Sequence, residues 1–289
     1  MKVTDRLLET GGRPVFICDF SPPRGGGASA ATQALGLDAD FVCVAYNPGR
    51  AVRIDSASLA HAIRTQTGSE VCFNLTPRDM NKLALQSHLL GAEVLGLQNV
   101  VVLAGDPLSQ RDLQRMTAVN DFRSTELIDA IARMNQGIDF RGSSLSQPTS
   151  FCIGATVDLG KGIDDEARLA HRKVRAGAHF FITQPVFKPD DVLAFYAAYA
   201  STAGSALEQP LFWGVQVLEH GGVTFNDVPH DMRERLEAGQ SGGDLALEVI
   251  EALRSAGCNH FYLVPPILRG GARNYDPARQ VLATAKGWE

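Results

Sequence analysis

The residues of this chain whose type and spacing could do chemistry are acids and amides at the ends of short apolar runs. FICDF carries Asp19 up to a Ser-Pro-Pro stop. Tyr46 and Asn47 follow FVCVA, Asn74 lies near the end of EVCFNL, and Asp106 follows NVVVLAG. Asp158 follows FCIGATV, Gln184 ends HFFITQ, Gln216 and Glu219 lie in and after LFWGVQVL, and HFYLV runs into Pro265-Pro266. A ring of carboxyl and amide heads suits hydrogen bonding to a heteroaromatic ring system, and a carboxyl among them can move a proton. There is no Ser-His-Asp order, no phosphate loop, and no strand-end lysine for a Schiff base. Each residue alone also has a plainer use. Asp19 can cap the turn before Pro22-Pro23, Asp106 in AGDP can close an Asx turn or cap a helix, and Gln184 can satisfy nearby backbone. Asn47 and Asn74 read singly as loop-stabilising, and Arg172 and Lys173 as a solvated helix face. Their shared placement is the argument for a site.

The elements that must position these residues alternate. β-branched runs at 15–20, 41–46, 70–75, 99–104, 151–157, 179–184, 211–218 and 260–264 read as buried parallel strands. Between them lie segments of 3.6-residue period, clearest in SASLAHAIRTQ, MNKLALQSHLLGAEVLG, STELIDAIARMNQ, EARLAHRKVRAGA, PDDVLAFYAAYA and LALEVIEALRSAG, with weaker patterns in ASAATQALG and DPARQVLATA. Eight strands each followed by a helix predict a single (β/α)8 TIM barrel over residues 1–289, with its site at the strands' C-terminal ends. The alternative, a doubly wound open sheet, would carry a G-x-G-x-x-G turn after its first strand, and RGGG does not match that spacing. Irregular stretches at 107–123 and 137–150 fall near the fourth and fifth strands.

Composition narrows the function. With 289 residues, 45% hydrophobic, the chain can bury a large core. A net charge of -5 without a basic run excludes a nucleic-acid footprint. No apolar run reaches the ~20 residues of a membrane span, and the start lacks a signal-peptide h-region. Five cysteines without a CxxC, four of them in strand-like runs, read as buried reduced thiols and a cytoplasmic setting. The seven histidines show no paired ligand spacing, so no metal site is expected. A homo-oligomer stays open.

DFSPPRG, NLTPRDMN, LQSHLLGAEVLGLQNVVVLAGDP, HRKVRAGAHFFITQPVFKPD and VPHDMRERL resemble methylenetetrahydrofolate reductase, in order and over about residues 15–264. The resemblance is to the reductase half found in bacterial enzymes fused to a homocysteine methyltransferase. It implies a flavin-containing barrel that reduces 5,10-methylenetetrahydrofolate to 5-methyltetrahydrofolate with NAD(P)H, in the one-carbon metabolism that feeds methionine. By position it implies that Asp106 lies beside FAD and the folate, Gln184 near both, and Lys173 at the flavin phosphates. Asp19 matches the acid that protonates the folate as its bridge opens. Gln216 is grouped on the substrate side, and Asn47, Asn74 and Glu166 on the cofactor side.

The sequence departs from the family pattern mainly on the flavin side. Asp19 stands for a glutamate, Asn74 for a histidine, Ala104 for an arginine or threonine, and Tyr46 for a smaller polar residue. Two other readings stay open: a flavin-free or methyl-transfer enzyme of folate chemistry, and a silent folate-binding relative.

Overall fold

The computed structural model describes residues 1–288. Eight parallel strands close into a barrel in chain order. They are β1 (Val15–Phe20), β2 (Phe41–Val44), β3 (Val71–Leu75), β4 (Asn99–Val102), β5 (Cys152–Val157), β6 (Phe180–Pro185), β7 (Leu211–Gln216) and β8 (His260–Val264). β8 pairs back onto β1, with Val15 opposite His260 and Cys18 opposite Leu263. The helices are α1 (Val3–Glu9), α2 (Ser56–Thr67), α3 (Lys82–Val94), α4 (Gln110–Leu113), α5 (Ser124–Met134), α6 (Ile163–Arg175), α7 (Pro189–Ala203), α8 (His230–Glu237), α9 (Gly242–Ser255) and α10 (Asp276–Lys286). The barrel expected from the strand pattern is the one observed.

Strand parity explains the arrangement. Successive side chains of a strand point to opposite faces. Phe16, Cys18 and Phe20 of β1 join the outer core beneath the helices, whereas Val15 and Ile17 join the inner core. The inner core also takes Phe41 and Cys43, Cys72, Val101, Cys152, Phe180 and Ile182, Phe212, and Tyr262 and Val264. Continuing this parity to the C-terminal ends gives Asp19, Asn74, Thr156, Gln184 and Gln216, a polar layer above an apolar filling. Phe180 occupies the centre only because Gly154 opposite has no side chain: an added Cβ would collide with its ring.

The elements differ from the sequence reading in several places, among them α4 within the stretch 107–123 and β7 ending at Gln216. ASAATQALG forms a 3-10 segment, Ala28–Ala34, because it has small residues and no stripe of large apolar ones to seat a full helix. β2 and β4 stop at Val44 and Val102, where the chain turns into the mouth. Two helices, α8 and α9, follow β7. At the opposite end α1 covers the barrel floor, where Asn99 accepts from the Val3 N–H at 2.9 Å and donates to the Met1 and Val71 carbonyls.

Candidate active site

The strand ends surround a cavity of about 230 Å³. Asp19, Tyr46, Asn47, Asn74, Asp106, Asp158, Glu166, Lys173 and Gln184 all line it. Larger hollows lie elsewhere, one of about 380 Å³ between α3 and α5 and one of about 560 Å³ beside the mouth. The first holds no strand-end residue. The second shares Phe225 with the mouth and carries Phe187 and Lys188.

One wall is built on β1 and β8. Asp19 is 4% exposed, and both its oxygens are engaged. The Tyr262 hydroxyl donates to Oδ1 at 2.8 Å, and Arg273 donates to Oδ2 through Nε at 3.1 Å and forms an ion pair with it, Nη2 also lying at 3.1 Å. Arg273 arrives from the β8–α10 loop, where it bridges to Ile267, and its guanidinium lies 5.8 Å from the Phe225 ring centroid. Tyr275 stacks on Phe20 with centroids 4.9 Å apart and accepts from the Ser21 N–H. Burial, then the Asp19 charge, holds the Tyr262 hydroxyl well above its ordinary range. Both Asp19 oxygens are therefore acceptors here, and the expected role of Asp19 as proton donor would require one of these partners to give way.

The facing wall is built on β5 and α6. Lys173 is 3% exposed and donates to the Thr156 carbonyl. Burial lowers its ammonium to about 8, opposed by Glu166. Glu166 accepts from the Asp158 N–H at 2.9 Å, and Asp158 pairs with Lys161 at 3.2 Å. The solvated helix face that one could read for Lys173 is therefore wrong: α6 turns it into the barrel.

β3 and β4 supply a third side. Arg78 donates to the Asp106 carbonyl at 2.9 Å while pairing with Asp79 at 2.6 Å. This holds the AGDP turn and leaves the Asp106 carboxylate exposed at the rim. Gly105 is required there, with φ +78° and no room for a Cβ beside Thr76 Oγ1. Asn74 accepts from Cys43 Sγ at 3.2 Å. Asn47 sits at φ 39° as the chain leaves β2. Burial, then Asp79, pushes the nearby Tyr46 hydroxyl up to about 12. On β6, Thr183 Oγ donates to the Gln184 carbonyl and accepts from the Gly214 N–H, both at 2.8 Å, which fixes the backbone that presents Gln184.

Gln216 is the correction. It does not line the cavity. Its amide donates to the Val223 carbonyl at 2.7 Å and accepts from the Phe225 N–H at 3.2 Å, so it anchors the loop after β7. Tyr262, Arg273, Arg78 and Thr156 were not read from the sequence. Parity marks Tyr262 and Thr156 as inward. Arg78 follows three residues after the end of β3, but Arg273 lies in a glycine-rich loop with no periodic signal.

Of the flavin set implied by resemblance, Asn47 and Asp106 face the cavity with side chains unengaged among the described residues, and the other three already hold bonds within the protein. Asn74 is bonded to Cys43, Glu166 to the Asp158 backbone, and Lys173 to a strand carbonyl inside the barrel. Among the described residues no cluster of three or more His, Cys, Asp or Glu could hold a metal, and no helix is long and apolar enough to cross a membrane. All five cysteines are buried and unpaired.

Comparison with known proteins adds to this geometry. Over 230 residues the chain is 22% identical to "Methylenetetrahydrofolate reductase 1" of Schizosaccharomyces pombe, covering 76% of this chain and 36% of that one. The second enzyme of that yeast, "Methylenetetrahydrofolate reductase 2", is also 22% identical, over 71% of this chain and 32% of its own. The chain thus spans about a third of the length of these relatives. Among solved structures, an uncharacterized protein from Clostridium thermocellum that binds two copies of 5-methyl-5,6,7,8-tetrahydrofolic acid superposes with a TM-score of 0.67 over 98% of both chains, at 11% identity. Oxaloacetate acetylhydrolase superposes with a TM-score of 0.52 at 11% identity, over 90% of this chain and 78% of the other. At these identities the likeness is one of fold. The sequence profile of methylenetetrahydrofolate reductase matches residues 4–220, most of the barrel, and on that ground the chain belongs to the methylenetetrahydrofolate reductase family.

Proposed function

We propose that the barrel is an oxidoreductase of folate one-carbon chemistry that binds 5,10-methylenetetrahydrofolate at its mouth and reduces the methylene bridge to a methyl group with NAD(P)H. The observation that carries this reading is the inward layer of amide and carboxyl groups over an apolar floor, with Gln184 and Asp106 opposite the Asp19–Tyr262–Arg273 wall. A cavity of about 230 Å³ suits a fused bicyclic ring whose edge carries alternating donors and acceptors. Gln184 supplies both a donor and an acceptor, and Asp106 an acceptor. The reaction needs a proton at the nitrogen that leaves and a hydride at the methylene carbon. The neighbouring groove, with Phe187, Phe225 and Lys188, suits a dinucleotide reductant laid across the rim. The nicotinamide gives its hydride directly to the folate in this reading, since three of the flavin-side residues, Asn74, Glu166 and Lys173, already hold hydrogen bonds within the protein. The comparisons support the folate class: the family profile, and a structural neighbour that binds a methylated folate.

The test is a fluorescence titration of the protein with 5-methyltetrahydrofolate. Wild type is expected to saturate at one equivalent, and Gln184→Ala to bind about 2- to 12-fold more weakly, the loss of one neutral hydrogen bond of about 0.5–1.5 kcal/mol. No binding by wild type would remove the folate reading.

A further inference from the structure

The mouth needs an acid, and Asp19 is committed elsewhere. Its oxygens accept from Tyr262 and Arg273, and the Tyr262 proton is given to Asp19. Arg78 and Arg273 are guanidinium groups that do not release protons. The Tyr46 hydroxyl is held up by burial beside Asp79. Lys161 is exposed and paired with Asp158, and Asp106 stands exposed at the rim. Asp158 accepts from the Gly160 N–H and pairs with Lys161, and Glu166 accepts from the Asp158 N–H. That leaves Lys173, which lines the cavity, is 3% exposed, and donates a hydrogen bond to the Thr156 carbonyl. An ammonium has three N–H donors, so two remain to face a ligand, and one proton can be given.

We propose that Lys173 is the proton donor that opens the methylene bridge, an inference that rests on the folate reading above. A proton leaves the Lys173 Nζ and forms the N–H bond of the departing folate nitrogen, N10. The electron pair of the bond between N10 and the methylene carbon stays on that nitrogen. The methylene carbon, still bonded to N5, becomes an iminium and takes the hydride from C4 of NAD(P)H, which leaves as NAD(P)⁺. The neutral amine regains its proton from water. One hydride and one proton are consumed per methyl group formed.

The charges around the amine set its working range. Glu166 and Arg172 face it from α6, Asp158 and Lys161 from the β5–α6 turn, and Asp106 shares the cavity from the end of β4. β6 adds only the uncharged Thr183 and Gln184. Burial dominates and brings the lysine to about 8, close to the pH at which a general acid is most effective. The protonated form is the active one, so activity falls as pH rises through about 8.

The experiment is a pH profile of kcat/KM for wild type, Lys173→Arg and Lys173→Met, with 5-methyltetrahydrofolate affinity measured alongside. Wild type is expected to lose activity above about 8. Both variants are expected to bind the methylated folate within about threefold of wild type, to turn over about 10²- to 10⁴-fold more slowly, and to lack that limb. The arginine variant keeps the positive charge but cannot give the proton, which separates an acid from an electrostatic partner. Lys173→Arg turning over at the wild-type rate, or a wild-type profile flat between pH 7 and 9, would overturn the assignment with the folate reading intact. Failure of wild type to bind folate would remove that reading and the assignment with it.

Discussion

The two walls of the barrel mouth bury charge in opposite ways. On the β8–β1 wall, Asp19 and Arg273 have side chains only 6% and 5% exposed, and each is the other's counterion. Tyr262 occupies the remaining Asp19 oxygen, and Phe225 lies under the guanidinium. On the β5–α6 wall, Lys173 is as deeply buried, yet its ammonium rests on a neutral carbonyl while Glu166 and Asp158 bond elsewhere. A matched pair fixes geometry, because neither partner gains by changing protonation. An unmatched lysine stores a tendency to lose its proton. The difference assigns the first wall to positioning and the second to proton movement.

The comparison breaks most sharply at the matched pair. Asp19→Asn keeps the shape but leaves the Arg273 charge buried without a counterion, which costs about 3–5 kcal/mol. Urea denaturation is expected to show that loss. A variant within about 1 kcal/mol of wild type would mean that water or another acid replaces Asp19, and that the wall is not a closed pair.

A smaller effect sharpens the other side. The folded pKa of Lys173, about 8, lies below its ordinary 10.5, so the unfolded chain binds more protons between those values. Stability therefore rises with pH across that window, by on the order of 3 kcal/mol from this group. Buried thiols and hydroxyls such as Cys18, Cys258, Tyr262 and Tyr275 are shifted up by burial and act in the opposite sense. They are shared by Lys173→Met, so the difference between wild type and variant isolates the lysine. Measured from pH 8 to 10.5, wild type should gain on the variant. Parallel curves would show that the ammonium is solvated.

The barrel was legible in the sequence because its signal is redundant. Eight β-branched runs, each with a helix-period segment after it, leave few closed arrangements. The residues around the mouth were legible as chain positions, since the end of a barrel strand is where the cavity must form. What side chains do there was less so. Asp19 and Gln216 look alike from sequence, a polar residue at the end of an apolar run. One reaches across to Arg273, 254 residues away, and the other ties down its own loop. Lys173 reads as surface because EARLAHRKVRAGA is highly charged, and only the packing of α6 on β5 turns it inward. Long-range partners and helix rotation are set by tertiary packing, which local pattern does not encode.

The central claim is that hydride passes at this mouth from nicotinamide to folate. It is tested most directly with NAD(P)H deuterated on the transferring face of C4 and 5,10-methylenetetrahydrofolate, by mass spectrometry of the product formed by purified protein. The account predicts 5-methyltetrahydrofolate with one deuterium in its methyl group, one for each NAD(P)H oxidised, from protein without flavin absorbance. Deuterium lost to water from a yellow protein would contradict direct transfer, and consumption of neither reactant would contradict the reductase reading itself.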